Sequence, residues 1–415
     1  MNFFRKPIFT GFGPNITKKD NFIALSFLFL PWNWPFLNKG FWEKKVEEKF
    51  KNYFNVSNVC LFDSGRSALQ FALEASGIGE GDEVLVQAYT CIVVTNAINW
   101  SKAKPVFIDI QNDFNLNFEE LKNKKTTKTK AIIIQHTFGK SISELEKIIT
   151  WAKENNLLVI EDCAHSLGAK LNDQFLGTFG DIGMFSFGSD KIISCVRGGA
   201  LITNNKNIAI KIKNLKNNLP NPKLIRTIQH LLHYPLFSFS KPLYNIGIGK
   251  LILFLAKKFN IINKIIYKEE KFGFPTKFYP SKLANSLAKI LFFQIDNLEY
   301  FNRHRREIAR FYNDNINNKK ISKPEWNEDS VWLRYTILME EPSVLHLKAK
   351  KQGIILGNWY NTPIAPKNID LSKTGYTPNQ CPNAEILSSK SINLPTNHFI
   401  KIKDARKIVK IINNL

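Results

Sequence analysis

From about residue 58 the chain alternates short apolar runs with helix-like stretches, and that rhythm leaves few folds open to it. "VCLFDSG" opens "RSALQFALEASG", "DEVLVQA" precedes "TCIVVTNAINWS", and "KPVFIDI" and "KAIIIQHT" lead to "SELEKIITWAKENN". "LLVIEDCA", "GDIGMFSFG" and "GGALITN" close the series. Strand and helix joined by short connections read as parallel βαβ units. Leu69, Phe71, Ala72 and Leu73 give the first helix a buried side, and Ser143 is placed to cap a later one. Ligands of such sheets bind beyond the carboxyl ends of the strands. Ser64-Gly65, Asp162 and Ser186 all fall just past apolar runs.

Two further regions break the rhythm. Residues 211–277 are basic, apolar and helix-like, whereas 278 onward begins with a long amphipathic stretch, "SKLANSLAKILFFQIDNLEYFNRHRREIARFYND". Short strands ("WLRYTILM", "GIILGNWY") and a closing helix, "KDARKIVKIINNL", follow. The chain therefore divides into a large α/β domain over 1–210, a basic helical segment over 211–277 and a smaller α+β domain over 278–415. Near the start, "FIALSFLFL" (22–30) is too short to span a bilayer, lacks a small-x-small cleavage pattern and runs into "PWNWPF". It reads as a buried segment of a cytoplasmic protein.

Composition excludes some chemistry. The five cysteines (60, 91, 163, 195 and 381) are scattered and never form C-x-x-C, and the seven histidines show no close ligand spacing. Neither a disulfide framework nor a metal site is expected. A formal charge of +23 favours anionic partners. With no arginine-rich run, finger spacing or RRM-like aromatic motif, nucleic acid is not the expected one.

"FSFGSDK" (185–191) ends on a lysine just past a strand, and Asp162 ends another strand of the same sheet. An amine and a carboxylate in one crevice suit pyridoxal phosphate. Lys191 forms the Schiff base, Asp162 keeps the pyridine nitrogen protonated, and the ring serves as an electron sink. "DSGRSAL" supplies the phosphate's needs: Gly65 for a close turn, Arg66 and Ser67 at the opening of a helix, with the Ser186 hydroxyl nearby. "IGIGK" (246–250) has no strand before it and no Ser or Thr after Lys250, so it is not a phosphate loop. Glu161, Cys163 and His136 read as structural groups.

Ordered blocks make the pattern recognisable: "DSGRSALQFAL", "GDEVLVQAYTCIVVTNAI", "KPVFIDI", "HTFGKSI", "IEDCAHSLGA", "GTFGDIGMFSFGSDK", "RGGALIT", "QIDNLEYFNRHRREIARFY", "GYTPNQCPNAEIL" and "INLPTNH". From about residue 40 to the end the chain resembles the DegT/StrS family of pyridoxal-phosphate sugar aminotransferases. The resemblance implies a type I aminotransferase fold, a three-layer α/β/α domain with a mostly parallel sheet and a smaller C-terminal α+β domain. It also implies a homodimer with shared sites and ping-pong transfer from glutamate or glutamine to a nucleotide-diphosphate keto sugar, for surface polysaccharide or glycoconjugate precursors. It makes Lys191 the catalytic lysine, Asp162 the partner of the ring nitrogen, and Arg66, Ser67 and Ser186 phosphate ligands. His165 stands where the family usually has Gln near the phenolic oxygen. Cys91 stands where many members stack an aromatic, and Tyr89 is the alternative. The family's asparagine–arginine block is not recognisable in "PTKFYPSKL". The competing class is a catalytically weak or membrane-associated binding protein on the same fold. Its support is the basic apolar stretch 229–268, where one helix would align Ile252, Leu255, Phe259, Ile262 and Ile266 against Lys250, Lys257 and Lys264. That stripe either packs on the protein or touches a membrane surface.

Overall fold

Seven of the apolar runs assemble into one sheet. In the computed structural model, which describes residues 7–11 and 13–415, its strands are Asn58–Phe62, Gly199–Thr203, Ile182–Ser186, Leu158–Asp162, Thr129–Gln135, Glu83–Gln87 and Lys104–Ile108, in that spatial order. Gly199–Thr203 runs antiparallel to both neighbours, and every other pairing in the sheet is parallel. The strands are apolar throughout because both faces are covered. Successive residues point to opposite sides: Val59 and Leu61 enter one core, Cys60 and Phe62 the other. Helices Trp42–Phe54, Leu145–Glu154 and Asn285–Ile295 close the first core with Phe50, Ile148 and Leu291. Gly65–Ala75 and Ile92–Trp100 close the second with Leu69 and Ile98. The result is three α/β/α layers.

A third core draws on the C-terminal residues from Ile308 to Ile412 around the antiparallel pair Arg334–Leu338 and Ser391–Pro395. Ile8 belongs to it, because Ile8–Phe9 pairs in parallel with Ile354–Ile355. The strand Ile8–Phe9 thus joins the C-terminal layer, whereas residues 1–210 were expected to form the large domain. Only those two residues of "GIILGNWY" form strand.

Other expectations need correction. The long amphipathic stretch is two helices, Asn285–Ile295 and Leu298–Asn315, broken at Asp296-Asn297. Both are poor helix formers, and the Asp296 carboxylate is held by Lys49. The first of these helices packs in the large core, so that core takes in residues on both sides of 278. The helix after Ser143 starts at Leu145 without a side-chain cap. "FIALSFLFL" lies in the helix Lys18–Phe29, which buries Ile23, Ala24 and Phe27 but exposes Phe22 and Phe29. The basic segment folds as Leu224–Ser240 and Ile248–Lys258. The second helix ends before Phe259, so the stripe expected from Ile252 to Ile266 does not form; Ile262 is buried and Leu255 exposed. "IGIGK" is the end of the turn between them and the start of the second helix, with Gly247 at φ 89° as its N-cap and Gly249 pressed against the Ser240 carbonyl, where a Cβ would stand 2.0 Å away. Among the described residues no helix is long and apolar enough to cross a membrane. All five cysteines are buried and unpaired.

Candidate active site

Parallel neighbours bring the two predicted groups together. Asp162 ends Leu158–Asp162 in register with Met184 of the adjacent strand, and the chain then runs through Ser186 to Lys191. Asp162, Ser186 and Lys191 line one cavity, with Ser64, Gly65, Arg66, Cys91 and His165. The Lys191 backbone is fixed from outside the sheet: the Asn15 side-chain amide donates to the carbonyls of Lys191 at 2.7 Å and Ile192 at 2.8 Å.

Asp162 accepts from the Ala164 amide at 3.0 Å and from Gln135 at 3.2 Å. Burial pushes its carboxyl up, and the Ala164 amide and Lys191 only partly offset this. A cationic group above it would supply the missing counter-charge.

The phosphate-sized end of the cavity is built by close approach. A Cβ on Gly65 would stand 2.9 Å from the Ser186 Cβ and 3.1 Å from its Oγ, so only glycine lets the helix start come this near. The first amides of the helix Gly65–Ala75 point out of its positive end. Ser67 departs from expectation. It is buried, its Oγ lies 2.9 Å from that of Ser64, and Ser64, the N-cap, lines the cavity instead. The Arg66 guanidinium is also committed elsewhere, pairing with Glu270 and donating to the Ile265 carbonyl at 2.7 Å. Arg197 also faces the cavity, buried, with Nε and Nη2 making no hydrogen bond among the described residues and its guanidinium 3.4 Å from the Tyr279 ring centre. No role was expected for this arginine, the first residue of "RGGALIT". The signal was an arginine directly before two glycines that bring strands close.

His165 is neutral, since burial, with Lys191 and Arg334 nearby, holds it well below the ordinary histidine range. Its Nδ1 accepts from the Phe138 amide at 3.3 Å, which leaves Nε2 as the proton-bearing donor. The ring lies parallel to Phe138 and within 25° of Tyr360. Cys91 lines the cavity, whereas Tyr89 is wholly buried against Phe114 and accepts from the Tyr360 amide at 3.2 Å. Tyr360 and Trp359 close the cavity from the C-terminal half. Their distance in sequence hid them from a reading of local motifs.

Glu161 is structural. Its carboxylate takes amide donors from Gly177, Phe179 and Gly180 at 2.7–2.8 Å and lies 3.0 Å from His136 Nε2. It pins a tight loop, and with Cys163 and His136 it forms a fully packed buried group.

A second cavity of about 820 Å³ adjoins the first at Asp190, which lines both. Its wall carries Lys18, Lys241, Arg305, Arg334, Lys401 and Lys407. Asp190 meets Arg334 at 2.7 Å. Burial works against ionisation of Asp190, yet Lys191 and Arg334 hold it below the ordinary carboxylate range.

Comparison with known proteins shows the family and the fold. The model of the DegT/DnrJ/EryC1/StrS aminotransferase family matches residues 32–230 and 260–413. GDP-perosamine synthase of Escherichia coli O157:H7 is 38% identical over 196 residues, which span 47% of this chain and about half (53%) of that protein. Uncharacterized protein MJ1066 of Methanocaldococcus jannaschii is 30% identical over 368 residues, 85% of this chain and 84% of that one. Among solved structures, Helicobacter pylori PseC, an aminotransferase involved in the biosynthesis of pseudoaminic acid, superposes with a TM-score of 0.75 at 20% identity. That match covers 99% of each chain, and the fold is the type I aminotransferase fold.

Proposed function

We propose that this chain, which belongs to the DegT/DnrJ/EryC1/StrS aminotransferase family, transfers an amino group from glutamate or glutamine to a keto sugar carried on a nucleotide diphosphate. The observation that carries the reading is the single cavity in which Lys191, Asp162, the start of the helix Gly65–Ala75 and Arg197, with its free Nε and Nη2, converge.

Those residues fit pyridoxal 5'-phosphate. The Gly65 and Arg66 amides, the Ser64 and Ser186 hydroxyls and Arg197 would hold its phosphate. Asp162 would pair with the ring nitrogen, His165 Nε2–H would donate towards the phenolic oxygen, and Cys91 would lie against the ring. When bound, the cofactor supplies an electron sink for carbon–hydrogen cleavage at the amino-bearing carbon. Lys191 would hold the cofactor through its amine and, once released from it, would carry the proton that leaves the amino-bearing carbon. Tyr360 and Trp359 exclude water from that transfer. The basic cavity beyond Asp190 suits the pyrophosphate of the acceptor.

The match to a GDP-perosamine synthase supports the substrate class. A homodimer with shared sites and a role in surface polysaccharide precursors belong to the same reading. Incubation of the purified protein with ¹⁵N-glutamate and a panel of nucleotide keto sugars, followed by mass spectrometry, tests it. Labelled amino sugar is the expected product, and failure of every acceptor together with no visible cofactor band would defeat the assignment.

A further inference from the structure

The family model leaves out everything before residue 32 and the stretch between 230 and 260. These pieces, far apart in sequence, meet in space. The helix Lys18–Phe29 packs along Leu224–Ser240, with Asn21 Nδ2 donating to Ser238 Oγ at 2.7 Å. Leu224–Ser240 packs in turn on Ile248–Lys258. Phe237, Leu253, Ala256 and Ile262 form a small core of their own, and a Cβ on Gly13 would stand 2.5 Å from the Phe237 ring. The additions therefore pack on one another, the two later helices around the small core and Lys18–Phe29 with Ile23, Ala24 and Phe27 in the first core of the sheet.

Their outside is apolar. Phe22 is 72% exposed, Phe29 70%, Phe254 60% and Leu251 56%, and the adjoining turn adds Trp32 and Trp34. So many large exposed apolar side chains on one small module mark a contact surface rather than scatter. Within residues 7–31 and 231–259 the cations outside the second cavity are Lys19, Lys250, Lys257 and Lys258, and the only carboxylate is Asp20. Asp20 is buried, its carboxylate spent on the Thr17 cap and Gln294. Seating a second copy on this face would bring lysines against lysines, which is unfavourable. A layer of anionic headgroups over an apolar interior complements both features. Phe and Trp enter the headgroup boundary, and lysines stay with the phosphates.

We propose that this module, residues 13–36 together with 231–259, seats the enzyme on the surface of an anionic membrane without crossing it. Lysines near an anionic surface act additively, so three of them account for on the order of a hundredfold in partition.

The test floats the cofactor-loaded full chain with phosphatidylcholine vesicles, with and without phosphatidylglycerol. Flotation is expected only with the anionic vesicles at low salt, and should fade as salt rises. The triple change Lys250→Gln, Lys257→Gln, Lys258→Gln should weaken it roughly a hundredfold, and Phe22→Ser with Phe254→Ser should abolish it. All these positions are exposed and away from the active site, so solution aminotransferase activity should stay unchanged. Failure of the wild type to float, or equal flotation of the variants, overturns the proposal. So does sedimentation velocity showing that Phe22→Ser with Phe254→Ser splits an oligomer while vesicle binding is untouched, since the face then belongs to a second copy.

Discussion

Arg334 of the C-terminal layer reaches Asp190, the residue before Lys191, at 2.7 Å with both side chains largely buried. This ion pair joins the third core to the loop that carries Lys191. Removing one partner leaves a buried charge without compensation, which typically costs about 3–5 kcal/mol. Asp190→Asn should therefore lower stability by roughly that amount, as read by urea unfolding. The double change Asp190→Asn with Arg334→Met should recover much of it. If the two losses simply add, the pair is not the link.

Lys191→Ala should keep the fold and lose covalent cofactor. Borohydride reduction of the wild type, followed by peptide mapping, should tag Lys191. A tag on any other lysine would contradict the assignment.

Asp162→Asn should still bind cofactor but slow transamination by on the order of a thousandfold, because a neutral amide cannot keep the ring nitrogen protonated. Stopped-flow half-reactions with glutamate measure this directly. Near-normal rates would remove Asp162 from the mechanism.

Cys91 and Tyr89 should behave differently. Cys91→Phe places an aromatic in the cavity and should slow cofactor release by stacking. Tyr89→Phe should leave cofactor affinity unchanged and cost about 1 kcal/mol of stability, the value of one hydrogen bond. Cofactor dissociation constants that moved with Tyr89 rather than Cys91 would reverse these roles.

Stability should fall on acidification before the carboxylates titrate. Burial holds His233 and His398 down to about 3, whereas the unfolded chain has ordinary histidines near 6.5. Above that value both states are neutral and nothing changes. Below it the unfolded state alone takes up protons, so folding loses about 1.4 kcal/mol per pH unit for each histidine. Denaturation between pH 6.5 and 5 should show this slope summed over these two and the buried His165 and His230, which are held down as well, and His398→Asn should flatten it by roughly a quarter. An unchanged slope in that variant would assign the effect to other groups.

The strands were legible because they are buried on both faces, which leaves near-continuous apolar runs between polar turns. Lys191 and Asp162 were legible for the same reason, as polar residues just past such runs. Ser67 was misplaced by one turn, because a helix opening "SGRS" offers two hydroxyls and only backbone direction decides which faces out. The break at Asp296 was hidden by amphipathic periodicity on either side of it. Arg334, Trp359 and Tyr360 reach the site through tertiary packing, for which no local pattern exists. The exposed side of "FIALSFLFL" was equally unreadable, since apolar composition alone does not say which face finds a partner.

The one reversed strand in the sheet has a mechanical meaning. Because Gly199–Thr203 lies antiparallel beside Ile182–Ser186, the segment bearing Lys191 leaves one strand and returns to its immediate neighbour. Phe187 donates to the Gly198 carbonyl at 2.8 Å and accepts from Cys195 at 3.2 Å. The lysine therefore rides on a strap buckled at both ends, with little slack in its backbone. The reach of the side chain alone then sets how far the amine can swing.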